Sequence, residues 1–202
     1  MPSLDELLGP LRCIGCRRPG ARLCSRCVAG HPRRSRDEAI SGVDRVLAPW
    51  AYEGPGRSLI LALKLRSELC AASPLVEAIV TAARSEGVLS SVVTWVPGRR
   101  PDIRRRGFDH AEVLARGVAG ELGLPAERLV KRSRASGGRD QVGLGRAERL
   151  ANLAFAFRAR PCGSSVMLVD DLITTGATAA ACAAALRLQG AVWVEAACAC
   201  RV

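Results

Sequence analysis

From Val43 onward, short apolar runs alternate with stretches of helical spacing. Residues 46–52 predict a strand, and the β-branched run at 92–96 predicts another, ended by Pro97 and Gly98. Further strands are expected at 153–157, 166–169 and 191–198. Between them 56–65, 74–83 and 178–189 read as helices, and in 108–122 Ala111, Leu114, Val118 and Leu122 recur at helical spacing. Alternation of this kind predicts an α/β fold with a largely parallel sheet. Residues 133–144 are rich in Gly and polar side chains and read as a loop.

The start of the chain breaks this pattern. The first 36 residues carry eight Arg against Asp5 and Glu6, and they hold four of the nine Cys. Residues 31–39 are polar and read as a linker, which makes His31 an exposed linker histidine or a spare ligand. The expected organisation is therefore a small module over 1–36 and an α/β domain over 37–202. Cys13-x-x-Cys16 and Cys24-x-x-Cys27 are two knuckles separated by seven residues. Each presents two thiolates on a tight turn, and together they can enclose a zinc ion. Two disulfides are the alternative, disfavoured in a reducing compartment. A segment so short has little core, so metal would supply most of its folding energy, in a structural role. Cys70, Cys182 and Cys198 are expected to pack as small apolar residues.

Composition narrows the classes. With 202 residues and 49% apolar side chains the chain can bury a core, which excludes a disordered polymer. Charge-free stretches such as 88–98 and 176–186 are about half a bilayer span, so no membrane insertion is expected. The opening Met-Pro-Ser-Leu-Asp-Glu has no basic n-region, and a cytoplasmic location is expected. The net charge of +11 favours polyanionic partners such as nucleic acid or phosphorylated metabolites, or reflects no more than a soluble protein of high isoelectric point.

The segment Val166-Met-Leu-Val-Asp170-Asp171-Leu-Ile-Thr174-Thr175-Gly176-Ala177-Thr178 carries the clearest chemistry. A buried strand delivers two carboxylates at its C-terminal end, where open α/β sheets bind ligands. A Thr- and Gly-rich loop then opens a helix, whose free N–H groups and dipole favour an anion. Ionised carboxylates only accept hydrogen bonds, and a ribose diol donates two. Acid pair followed by anion loop thus has the chemical shape of a ribose 5-phosphate clamp. The bland alternative is a helix cap and a plain turn.

This segment resembles the phosphoribosyl pyrophosphate motif of type I phosphoribosyltransferases, and more of the chain resembles the ComF family of late competence proteins, related to amidophosphoribosyltransferase domains. The resemblance rests on the four-Cys N-terminus, Tyr52-Glu-Gly…Arg57-Ser-Leu-Ile…Leu63-Lys64, Arg105-Arg-Gly107-Phe108-Asp109-His110-Ala-Glu112-Val-Leu-Ala, Gln141…Leu144…Ala147-Glu-Arg149…Asn152…Phe155-Ala-Phe157, and the clamp. It implies a phosphoribosyltransferase-like parallel sheet flanked by helices. Asp170 and Asp171 would hold the ribose hydroxyls, and Thr174, Thr175, Gly176, Ala177 and Thr178 the 5′-phosphate. The turn after 92–96 would face the pyrophosphate, with Mg²⁺ bridging pyrophosphate and ribose. The family's usual Val-Pro-Val-Pro at that turn is here Val93-Thr-Trp95-Val-Pro97, and its Arg-x-Thr before the Gln is absent.

Arg99, Arg100, Arg104, Arg105 and Arg106 crowd eight residues, opposed only by Asp102. They read as a mobile basic loop that closes over pyrophosphate, with Arg99 and Arg100 as binding groups and Arg105 and Arg106 stabilising the leaving group. It could equally track single-stranded DNA, with Trp95 and Phe108 stacking on bases or packing in the core. His110 and Glu112 are candidate acid–base groups by proximity. Lys64, on an apolar helix, either contacts phosphate or snorkels. Three function classes follow. One is a phosphoribosyltransferase. The second is a single-stranded DNA-binding module, since the ComF resemblance implies DNA uptake in natural transformation at the cytoplasmic face of the membrane. The third is a scaffold docking a competence helicase or uptake machinery.

Overall fold

A computed structural model describes residues 11–32, 39–133 and 156–202. In chain order its strands are β1 (Arg45–Leu47), β2 (Trp50–Ala51), β3 (Val92–Trp95), β4 (Val130–Arg132), β5 (Phe157–Ala159), β6 (Ser165–Val169), β7 (Leu172–Ile173), β8 (Trp193–Ala197) and β9 (Cys200–Arg201). The helices are α1 (Ser25–Ala29), α2 (Gly54–Leu65), α3 (Ala72–Glu86), α4 (Arg100–Arg106), α5 (His110–Leu122) and α6 (Ala177–Leu188). The main sheet is parallel throughout, in the order β1-β8-β6-β3. This is the expected α/β architecture.

Alternation along the strands divides the core. Met167 and Val169 of β6 join Val93 and Trp95 of β3 on one face, beneath Leu59, Leu75, Ile79 and Leu114 of α2, α3 and α5. Val166 and Leu168 face the other way, onto Leu186 of α6 and Phe157 of β5. Strands buried on both faces explain why 166–169 reads as an unbroken apolar run rather than an alternating one. Each fully buried Leu contributes about 1.5–3 kcal/mol relative to exposure.

The expected strand at 46–52 is two strands. Pro49 has no N–H to give a ladder, and the chain steps there from β1 to β2. The neighbours step at the same level: β6 gives way to β7 across Asp170 and Asp171, and β8 to β9 across Cys198 and Ala199. The second, shorter sheet repeats the order as β2-β9-β7. Cys198 N–H still reaches Leu47 O at 2.9 Å and Asp170 N–H reaches Ala197 O at 3.0 Å, so the backbone is bonded through the step. Both acids therefore lie on a seam crossing three strands.

Three further features differ from the sequence expectation. Residues 100–106 are a helix, not a mobile loop. Pro101 suits its first turn, Asp102 complements the N-terminal dipole, Arg104 to Arg106 complement the C-terminal one, and Gly107 ends it at φ 85°. His31 is neither exposed nor a spare ligand. It is 4% exposed, stacks on Trp50 with ring centroids 4.6 Å apart, and accepts the Gly56 N–H at 2.8 Å. The cysteine segment is likewise packed against the domain, with Cys13 and Leu23 in the same apolar cluster as Leu59. Cys182 and Cys198 are buried as expected, whereas Cys70 is exposed within the short 3₁₀ turn Leu69–Ala71. Of the expected loop at 133–144 only Ser133 is described, the start of the 153–157 strand lies outside the described residues, and β5 begins at Phe157.

Candidate functional site

The C-terminal end of β6 builds the cleft. Gly176 starts α6 at φ 74°, and a Cβ there would lie 2.8 Å from Ile40 Cγ1, so glycine is required twice over. Among the described residues no side chain caps α6, although Thr175 Oγ1 accepts a weak 3.4 Å bond from Ala177 N–H. Asp170 and residues 172–179 line a small concavity that includes Thr174, Thr175, Gly176, Ala177 and Thr178. An uncapped helix start in a polar hollow suits a bound anion.

The adjacent acids are not equivalent. Asp171 turns inward and is 2% exposed. Its carboxylate meets Lys64 Nζ at 2.7 Å and His110 Nε2 at 3.4 Å. Burial alone would raise its pKa, but His110 and Lys64 outweigh it and hold Asp171 well below the usual carboxylate range. Lys64 is thus a counter-ion to Asp171. Asp170 is only partly buried by its neighbours, and its Oδ1 accepts the Asp171 N–H at 2.9 Å. Desolvation, then the Asp171 charge, pushes the Asp170 carboxyl up.

His110 is held at both nitrogens. Arg106 Nη1 lies 3.0 Å from Nδ1, and guanidinium only donates. Nδ1 is therefore the acceptor, and Nε2 carries the proton toward Asp171. This leaves His110 no free nitrogen for acid–base work in this arrangement. Arg106 is itself nearly buried and tied to Asp102, while Arg105 projects into solvent. Glu112 is not brought to the acid pair: it engages Arg116 at 2.9 Å and Arg128 at 3.4 Å. Those two guanidiniums lie over Trp95, which is buried in the core, and Phe108 packs against the same cluster. Arg99 and Arg100 are exposed at the start of α4.

Two residues escaped the sequence reading. Asp109 is 5% exposed, caps α5 through Ala111 N–H and accepts the Gly98 N–H at 2.9 Å, which pins the turn after β3. Arg132 donates Nε–H to Pro97 O at 3.0 Å on that same turn. An Asp before a helical run is a cap signal, so Asp109 was findable. Nothing in the sequence marked Arg132 among so many arginines.

His110, Asp170 and Asp171 offer ligand atoms within 4.8 Å of one another. With His110 and Asp171 already engaged, only Asp170 remains for a cation. One carboxylate plus ligand oxygens is a pattern that Mg²⁺ accepts. The second cluster is Cys13, Cys16, Cys24 and Cys27, whose Sγ atoms all lie within 4.8 Å, with Cys16 and Cys24 at 3.6 Å. Tetrahedral zinc with bonds of about 2.3 Å would separate its sulfurs by about 3.8 Å, so the donors fit such an ion. Backbone N–H groups of Cys24, Cys16 and Gly15 overcome burial and bring the Cys13 thiol down to about 6. Burial and the other three thiols push Cys27 up to about 12. A cation would relieve that mutual repulsion. Gly15 permits the packing, since a Cβ would lie 2.9 Å from both Cys27 Sγ and Pro55 Cγ.

Among known proteins, the chain is 30% identical over 200 residues to the DNA utilization protein YhgH of Salmonella typhi, covering 94% of this chain and 88% of that one. The chain belongs to the YhgH family. The Escherichia coli K12 member is 30% identical over 184 residues, covering 88% of this chain and 77% of its own. No model of a known protein family matches. Among solved structures, this YhgH-family chain is similar to a glutamine phosphoribosylpyrophosphate amidotransferase from B. subtilis, with 25% identity and a TM-score of 0.43, over 62% of this chain and 26% of that one. It is also similar to a purine phosphoribosyltransferase from Pyrococcus horikoshii, with 16% identity and a TM-score of 0.33, over 63% and 70%. Among the described residues no helix is long and apolar enough to cross a membrane.

Proposed function

We propose that this YhgH-family protein binds phosphoribosyl pyrophosphate at the end of β6 and transfers its phosphoribosyl group to an acceptor, within a ComF-like role in the use of single-stranded DNA. The observation that carries the reading is the uncapped α6 start beside one outward carboxylate. The loop at 174–178 would hold the 5′-phosphate, and Asp170 would take the ribose hydroxyls. Asp171 supports the site from behind, held by Lys64 and His110. In the transfer the C1–O bond to pyrophosphate breaks, pyrophosphate keeps the electron pair, and the acceptor's lone pair forms the new bond to C1. The acceptor's proton passes to solvent. Mg²⁺, when bound with the ligand, would screen charge on the pyrophosphate. The four cysteines would hold a structural zinc.

The test is calorimetric titration with phosphoribosyl pyrophosphate, with and without Mg²⁺, beside Asp170→Asn. Micromolar binding that needs Mg²⁺ and is lost in the variant supports the reading, and pyrophosphate release with candidate acceptors then tests transfer. No binding under either condition overturns it.

A second reading, a non-catalytic single-stranded DNA-binding module, is favoured by the exposed Arg99, Arg100, Arg104 and Arg105 around α4. It predicts oligonucleotide binding that weakens steeply with salt and survives Asp170→Asn. A helicase-docking role would show neither.

A further inference from the structure

Arg132 lies on the ribbon β4-β5, opposite Phe157 in register. Its guanidinium carbon is 4.8 Å from the Phe157 ring centre, a cation–π contact, and its Nε is spent on Pro97 O. Phe157 below and the Pro97 carbonyl beside it fix the plane of the group. Among the described residues no hydrogen bond takes the two terminal nitrogens, which leaves them to face a ligand. Among the described residues no carboxylate lies within ion-pair distance of it, although Arg105, Arg106, Arg116, Arg128 and Arg160 all have one.

Such a group is costly unless something answers it. Burial, then the Arg99 charge, pushes the Arg132 pKa down, while Asp170 and Asp109 act weakly the other way. A guanidinium stays protonated at neutral pH, so this half-buried group bears part of the desolvation cost of a charge. A planar fork held rigid beside a second cation matches a phosphate-type anion. Its position is equally specific, because Pro97 is on the turn after β3 and Asp109 pins that same turn through Gly98. Trp95 of β3 pairs with Val169 of β6, the residue before Asp170, so the turn that Arg132 holds borders the acid pair.

We propose that Arg132 is a ligand-binding residue that takes the pyrophosphate end of a phosphoribosyl ligand, with Phe157 and Pro97 O holding its guanidinium in plane. This rests on the reading of the β6 cleft as a phosphoribosyl pyrophosphate site. It gives that site a cation bonded to the turn where Val93-Thr-Trp95-Val-Pro97 departs from the family's usual sequence.

The experiment compares two ligands that differ only in the pyrophosphate. Phosphoribosyl pyrophosphate and ribose 5-phosphate, each with Mg²⁺, are titrated into wild type, Arg132→Met, Arg132→Lys and Asp170→Asn, with thermal melting run on each. Met keeps the apolar stem over Phe157 and removes the charge. The expected result is a tenfold or greater loss of phosphoribosyl pyrophosphate affinity in Arg132→Met and a smaller loss in Arg132→Lys. Ribose 5-phosphate affinity should stay within twofold in both, and Asp170→Asn should weaken both ligands. If Arg132→Met fails to fold, the Lys variant carries the comparison, with a loss of at least threefold confined to phosphoribosyl pyrophosphate. Unchanged phosphoribosyl pyrophosphate affinity, or equal loss of both ligands, overturns the assignment of Arg132 while leaving the cleft intact. Wild type binding neither ligand overturns the reading of the cleft and the assignment with it.

Discussion

Asp170→Asn and Asp171→Asn should move stability in opposite directions, although they change neighbouring residues in the same way. Asp171 is 2% exposed and pairs with a Lys64 ammonium that is about one-third exposed. Removing one partner of a fully buried pair costs about 3–5 kcal/mol, and the exposure of Lys64 lowers that to about 2 kcal/mol. In a domain of this size each kcal/mol moves Tm by about 2–4 °C, so Asp171→Asn should melt about 4–8 °C lower. Asp170 is pushed the other way, by desolvation and by the Asp171 charge. An amide there removes a disfavoured charge, so Asp170→Asn should gain about 0.5–2 kcal/mol while losing ligand. The pH dependence separates the two further. A depressed folded-state pKa gives stability that is present above the unfolded value of about 3.9 and lost as pH falls below it. The Asp171→Asn defect should therefore be full at pH 7 and shrink below about pH 4. A raised folded-state pKa takes stability away as pH rises through the window above about 3.9, so the Asp170→Asn gain should vanish in acid and grow toward neutrality. Urea denaturation from pH 3 to pH 7 reads both. Equal losses in the two variants, or a Asp171→Asn defect that does not change with pH, would refute the division of labour.

Three further outcomes follow from the geometry. Gly176→Ala forces a side chain into a φ of 74° and against Ile40, and should cost about 2 kcal/mol in urea denaturation together with ligand affinity. Purified protein should carry one zinc per chain by elemental analysis, chelation should lower its Tm, and Gly15→Ala should speed metal loss to a chelator by crowding Cys27 Sγ. His31→Ala strips the acceptor from the buried Gly56 N–H and removes the Trp50 stack, so a loss of about 1–3 kcal/mol is expected by chemical denaturation.

Much of this was legible in the sequence, for reasons that also explain what was not. The α/β order followed from apolar period, and the acid pair and loop from residue chemistry at a strand end. The split between Asp170 and Asp171 was hidden because it depends on Lys64 and His110, which arrive from α2 and α5. The basic stretch at 99–106 held its own helix signals in Pro101, Asp102 and Gly107, but charge density argued for a loop. His31 looked like linker because its neighbours are polar, and only its stack on Trp50 and its bond to Gly56 reveal it as core. The break at Pro49 was readable as a missing donor. That its neighbours break in step with it was not, since parallel register is a property of pairs of strands.

The strand order also dictates a timetable for biosynthesis. β8 lies between β1 and β6, and β9 between β2 and β7, yet among the described strands these two are the last in sequence. While the polypeptide is still being made, β1 and β6 have no partner to bridge them, and Lys64 waits on α2 for a carboxylate that arrives much later. Neither sheet can close until the final strands have left the ribosome. Until then the nascent chain displays apolar edges of the kind that chaperones hold. A ribosome stalled before residue 193 should therefore carry a protease-sensitive chain, and the transition to resistance should come abruptly rather than domain by domain.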